Sequence, residues 1–228
     1  MFFLNHKAFI TGTVESGLSY NLKKQPYEAF WRQQESIDGD VFITKPCPIF
    51  PFNETVWVSR GFYDFAHIPS TSNSMFVSER TLEVFSKMNM PPFQTWPIKY
   101  MVRKKLYDGY WIAFYHDYGL DIDCTRSVFK LTHSNNNSEE YIKVKDIAEY
   151  IIYIRNYVEC ANKNEDFVKI EPVQIKFLPH VYELDLITIF WFYKIYIASD
   201  KFKTLFEEYK IKSYYFIDGP DFGSIKFI

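Results

Sequence analysis

Short apolar runs separated by turn residues dominate the chain, and helical spacing of apolar positions is confined to a few segments. Runs rich in β-branched and aromatic residues predict strands at Val41–Thr44, Met75–Val77, Ile98–Arg103, Tyr110–His116 and Phe167–Phe177, because such side chains pack well on a pleated surface. Asp108-Gly109 between the third and fourth of these predicts a hairpin turn. Leu186–Ala198 reads as a buried strand region. It contains Lys194 and is shorter than the roughly 18 to 20 apolar residues that a membrane span requires.

Helices are predicted where a stop or cap accompanies the spacing. Pro26 suits the first position of a helix over Tyr27–Glu35, and Pro46, Pro48 and Pro51 then enforce an extended connector beyond the Asp38–Asp40 turn. Ser78 is placed to cap a helix over Glu79–Met88, which Pro91 and Pro92 close. Asp146 and Glu149 have capping-box spacing ahead of Ile147, Ile151, Ile154 and Val158, so this segment reads as helix; its β-branched content leaves strand as the alternative. His133–Glu140, with three consecutive asparagines, is a polar loop and a candidate internal boundary.

Sliding the chain along itself shows an internal echo. Asp64, Ile68, Ser78 and Phe85 recur as Asp185, Ile189, Ser199 and Phe206, always at the same offset, with Arg80 answered by Lys201. Both copies read as strand, serine cap, amphipathic helix, strand. The second runs Ile195–Ala198, Ser199, Asp200–Tyr209, Tyr214–Ile217. One apolar stripe per helix (Leu82, Phe85, Met88; Phe202, Leu205, Phe206, Tyr209) implies packing on a sheet. The expected fold class is α/β of mixed α+β character: mixed β-sheets with packed helices, built on two weakly similar β-α-β halves. The expected division is a β-rich region 1–60 integral to the fold, a first half 61–132, the loop 133–140, and a second half 141–228.

Four stretches carry a family likeness: Met75-Phe-Val-Ser-Glu-Arg80, the strand Tyr110–Tyr115, Asp123 with Ser127-Val-Phe129, and Ile197-Ala-Ser-Asp-Lys-Phe-Lys-Thr-Leu-Phe206. Together they resemble the immunity proteins of bacterial polymorphic toxin systems over roughly residues 60–217. The chain departs from that pattern before the final strand, where Ser213 stands in place of a glycine. The resemblance implies a cytoplasmic protein that neutralises a cognate toxin by stoichiometric binding, without catalysis or cofactor.

Composition narrows the function classes. Apolar residues make up 47% and aromatics 20%, which excludes intrinsic disorder. The abundance of Tyr suits a wetted interface, although an AT-rich genome yields the same bias. A net charge of −2 provides no footprint for nucleic acid, and the basic pairs and triplets Lys23-Lys24 and Arg103–Lys105 read as solvated strand ends. Three widely spaced cysteines suit a reducing cytosol, and His6 with Lys7 interrupts any N-terminal signal sequence. A monomer is favoured.

No nucleotide-binding, zinc-protease or nucleophile-elbow motif is present. His116, Asp117, Asp121 and Asp123 offer one imidazole and three carboxylates that suffice in principle for a divalent metal, making a metal-dependent hydrolase the alternative function; the competing reading is a polar turn around Gly119. Cys124 with His116 as base, and Ser78 and Ser199 as anion sites, compete with an inert thiol and with simple helix capping. Asp64 and Asp185 read as structural. For a basic toxin, Asp117, Asp121, Asp123, Glu139 and Glu140 are the candidate partner-binding residues.

Overall fold

The computed structural model of the protein describes residues 2–6, 55–57, 64–67, 74–102, 105–163, 166–189, 195–212, 214–218, 221–222 and 225–228. The helix expected over Tyr27–Glu35, the strand Val41–Thr44 and the proline connector lie outside these residues. In chain order the strands are β1 (Phe2–His6), β2 (Thr55–Trp57), β3 (Phe65–His67), β4 (Ser74–Val77), β5 (Phe93–Val102), β6 (Lys105–Phe114) and β7 (Val128–His133). There follow β8 (Glu139–Ile142), β9 (Val168–Ile175), β10 (Leu186–Ile189), β11 (Ile195–Ala198), β12 (Tyr214–Asp218), β13 (Asp221–Phe222) and β14 (Ile225–Phe227). The helices are α1 (Glu79–Phe85), α2 (Ile147–Asn162) and α3 (Asp200–Glu208). The fold is α+β, with mixed sheets and packed helices as the sequence patterns predict.

Two compact units result. One comprises Met1–Asp117 and Leu184–Asp218, the other Tyr118–Glu183 and Gly219–Ile228. The expected break at 133–140 is not where the chain divides: these residues turn the β7–β8 hairpin. Asn137 takes a φ of 53° there, a left-handed conformation that Asn tolerates because its short side chain bonds locally.

The first unit holds both copies of the repeat. One sheet has the order β2-β5-β6-β4-β3 and the other β10-β11-β1-β12. In the first, Tyr110 of β6 pairs with Val77 on one side and Pro97 on the other. In the second, Phe2 of β1 pairs with Ala198 and with Asp218. Ala198 and Asp218 stand at the same sequence offset from Val77 and Pro97, so Phe2 occupies the place of Tyr110 and β1 is to the second half what β6 is to the first. β5 reaches β6 through a tight reversal, whereas the chain after β12 enters the second unit. The second half therefore receives its central strand from the N-terminus. In each half the helix joins two parallel strands with an antiparallel one between them, a split β-α-β unit.

Helix packing follows the apolar stripes. Phe85 and Phe206, the matched residues, stack on each other with ring centroids 6.0 Å apart, and Phe202 stacks on Phe206 at 4.3 Å. A residue that touches its own counterpart lies on the axis relating two halves, so this pair marks a local pseudo-twofold. Around it Met75, Val77, Ile112, Phe114, Leu186, Tyr196 and Ile211 complete a core of buried residues.

Two local expectations change. Asp108-Gly109 does not turn the hairpin but pairs within it, opposite Lys99 and Ile98, and the reversal lies between Val102 and Lys105. Alternation along Phe93–Val102, with Trp96 and Ile98 buried, carries the strand past the Asp-Gly signal, and a buried Gly109 faces Ile98. The helix expected through Met88 ends regularly at Phe85, where the Ser86 amide bonds to Leu82 O.

The second unit is one sheet of order β13-β14-β9-β7-β8. Helix α2 packs against β9, with Tyr150 on Phe129 at 4.8 Å and Tyr157 on Phe167 at 5.0 Å. Tertiary burial of that face decides for helix over strand. Its start holds a near capping box: the Glu149 amide donates to Asp146 Oδ1 at 2.9 Å, while the Glu149 carboxylate accepts from the Lys145 amide, one residue before the cap, at 2.6 Å.

Candidate functional site

Three groups of residues carry the chemistry legible in the sequence, and each has a definite setting. The first is the matched Asp-Ser-basic set. Asp64 is buried and its carboxylate accepts from Ser78 Oγ at 2.8 Å, Arg80 Nη2 at 2.5 Å and the Lys212 amide at 2.9 Å. Asp185, buried likewise, accepts from Ser199 Oγ at 2.7 Å, Lys201 Nζ at 2.9 Å and the Asn89 amide at 2.8 Å. Each serine also caps its helix, accepting from Thr81 N or Phe202 N. The turn after α1 thus grips the second half's aspartate, and the turn after α3 grips the first half's. Ser78 and Ser199 are committed to this lock, so the capping reading holds for both.

Burial pushes the Asp185 carboxyl upward, but the Asn89 amide, the Lys201 ammonium and the Ser199 hydroxyl together hold it below the ordinary aspartate value.

The second group is His116, Asp117, Asp121, Asp123 and Cys124. His116 and Asp117 close the first of the two segments that make up the first unit, and His116 O accepts from Thr188 Oγ1 of the other segment at 3.0 Å. The remaining three belong to the second unit. The turn expected around Gly119 is a 3-10 turn, Tyr118–Asp121, in which Tyr118 and Gly119 are buried. The Asp121 carboxylate lies 3.6 Å from His180 Nε2. Asp123 closes a turn, its Oδ1 accepting from Thr125 Oγ1 at 2.7 Å and from the Arg126 amide at 3.2 Å. Among the described residues, no three His, Cys, Asp or Glu side chains converge as a metal would require.

Cys124 is buried, and desolvation, reinforced by the carboxylates of Asp146, Asp123 and Glu149, pushes its thiol up to about 11. At pH 8 it is a protonated thiol rather than a nucleophile. A thiol-specific alkylating reagent, followed by peptide mass spectrometry, is expected to modify Cys124 on the order of a hundredfold more slowly in the native protein than in urea. Fast labelling of the native thiol would restore it as a candidate nucleophile.

The third group is the β7–β8 hairpin. One face of its sheet carries Phe129, Leu131 and Ile170 toward the core. The other carries a ladder of alternating charge: Lys130 bonds to Glu139 at 2.8 Å and Lys169 to Glu171 at 2.8 Å. The hydrogen bond from Lys130 to Glu139 raises the lysine's pKa. Glu140 lies 3.4 Å from His133 Nε2. Beside these carboxylates Tyr141, which sequence reasoning did not single out, is 68% exposed, the most exposed large apolar side chain among the described residues. The available signal was the short Glu-Glu-Tyr-Ile run directly after a polar turn, in which a large aromatic stands next to two charges.

No helix among the described residues is long and apolar enough to cross a membrane. No protein-family model, no curated protein and no solved structure matches the chain.

Proposed function

We propose that the protein is an immunity protein, binding a cognate bacterial toxin stoichiometrically and silencing it. The observation that carries this reading is the surface of β8, where two acidic side chains, Glu139 and Glu140, directly precede an exposed tyrosine, Glu139 sharing its face of the sheet. An aromatic anchor beside charge is the composition of a protein-recognition surface, since Tyr offers a large contact area at low cost in conformational entropy and charge sets the partner's sign. The motifs around Ser78, Asp123 and Ser199 support the same reading through the resemblance they carry. In this view the paired halves are a scaffold: their conserved-offset aspartates and serines hold helices in place and leave recognition to other surfaces.

The test is co-expression with the product of the adjacent reading frame. The expected result is a complex of equal stoichiometry on size-exclusion chromatography and survival of cells that the neighbouring product alone kills. Survival lost and no complex formed would overturn the immunity reading.

A further inference from the structure

The register of the β7–β8 hairpin determines which backbone groups of β8 face outward. His133 N–H donates to Ser138 O at 3.0 Å, so at the His133 and Ser138 position the backbone groups of the two strands face each other across the hairpin. In an antiparallel ladder such positions alternate with positions whose amides and carbonyls point away from each other. The register Thr132↔Glu139, Leu131↔Glu140, Lys130↔Tyr141 then assigns Glu139 and Tyr141 to the outward set. β8 ends its sheet, and no described strand lies beyond it. The outward amides and carbonyls of Glu139 and Tyr141 therefore form an open row, and the side chains on that row are exposed as well.

We propose that β8 is a strand-addition site: an extended basic segment of a partner protein pairs with the outward backbone groups of Glu139 and Tyr141. Glu139 and Glu140 select lysine or arginine on the incoming strand, and Tyr141 packs against an apolar or aromatic side chain opposite it. Main-chain hydrogen bonds supply affinity in this mode, while alternate side chains supply specificity. Charge complementarity decides the occupant. Lys130 and His133 meet the two carboxylates from the β7 side, and among the described residues no other cation pairs with either of them. The same two carboxylates disfavour a second copy, because antiparallel β8 strands would bring four of them into neighbouring positions. That the basic segment belongs to a toxin rests on the immunity reading; the open edge does not.

The experiment uses the full chain and a short synthetic peptide that repeats Lys-Lys-Val-Val, which sets lysine opposite Glu139 and Glu140 and valine opposite Tyr141, with its glutamate-for-lysine counterpart as control. Amide hydrogen exchange is read residue by residue. The expected result is a slowing of exchange of about tenfold or more at Glu139 and Tyr141 with the lysine peptide and none with the glutamate peptide. Tyr141→Pro removes one outward N–H that β7 does not use, so the protein keeps its unfolding midpoint and loses the response. E139K/E140K, which leaves the backbone unaltered, exchanges the preference between the two peptides. An equal response to both peptides, protection confined to other residues, or a peptide preference unchanged in E139K/E140K would overturn the proposal. So would concentration-dependent protection of the two amides without peptide, which would assign the edge to a second copy. A negative result leaves the immunity reading to its own test, and the absence of a toxin complex leaves a positive result at the edge intact.

Discussion

Replacing the buried Asp185 with alanine is expected to lower the free energy of unfolding by about 2 kcal/mol, since the substitution takes the acceptor from two part-buried donors at a cost of roughly 1 kcal/mol each. Two donors stand out: the Asn89 amide at 2.8 Å and the Ser199 hydroxyl at 2.7 Å, both aimed at this carboxylate. Lys201 contributes less. Its side chain is 55% exposed and falls back on water, so Lys201→Ala is expected to cost less than about 1 kcal/mol. Asp64→Ala should match Asp185→Ala within about 1 kcal/mol, because the Lys212 amide and Ser78 stand where Asn89 and Ser199 do. Urea denaturation of the single variants checks both numbers, and a loss below about 0.5 kcal/mol for either aspartate would remove the lock from the account of stability.

The same carboxylate gives a pH signature. The folded-state pKa of Asp185 lies below its unfolded value, so its ionised form is favoured by folding. Its contribution is complete above the ordinary aspartate range near about pH 4 and is lost as pH falls through the lower folded value. The stability difference between the wild type and Asp185→Ala is therefore expected to hold from neutral pH down to about 4 and to narrow below it. A difference that widens on acidification contradicts the assignment.

Proline at Leu4 is expected to cost on the order of 2 kcal/mol or more, since it removes a ladder donor within a central strand and leaves the opposing acceptor unsatisfied. Leu4 pairs with Tyr196 on one side and Phe216 on the other, so neither edge of β1 is free. The effect is predicted to be local in origin. Amides of β11 and β12 lose exchange protection first, while those of β4 and β5, whose central strand is the covalently adjacent β6, retain theirs longer. If Leu4→Pro unfolds like the wild type, or if both halves lose protection together at low denaturant, the N-terminal strand does not complete the second half alone.

Much of the local structure is legible in the amino-acid order because short-range chemistry dictates it. Ser78 and Ser199 announce their helices by capping them, Asp146 and Glu149 announce α2, and the apolar spacing of Phe202, Leu205 and Phe206 selects the buried face. The recurrence of Asp64 and Ser78 as Asp185 and Ser199 already indicates two related halves. Where a local signal competed with long-range pairing, pairing won. Asp108-Gly109 is a good turn dipeptide, yet alternation along β5 and β6 carries both strands past it. The asparagine run reads as a boundary, yet its flanks pair across the hairpin.

The candidate site divides along the same line. Residue types and charges around Glu139 and Glu140 are plain in the sequence, and so is the acidic turn from Asp117 to Asp123. Whether such groups face solvent, close a turn or meet a neighbour depends on contacts from segments far away in sequence. Asp123 is used up by its own turn, and Cys124 is silenced by burial. Tyr141 becomes prominent only because β8 has no strand beyond it among the described residues.

By itself the sequence determined the α+β class, the helix caps and the duplication, all of which arise from interactions within a few residues or from simple recurrence. Only the tertiary structure decided that β1 fills the second half in the place of β6, that each half's aspartate is held by the other half's turn, and which amides of β8 lie open. The first depends on pairing between residues as distant as Phe2 and Asp218, the second on contacts between segments more than ninety residues apart, and the third on which strands the sheet leaves beside β8. Burial and backbone hydrogen bonding set all three, and no local pattern encodes them.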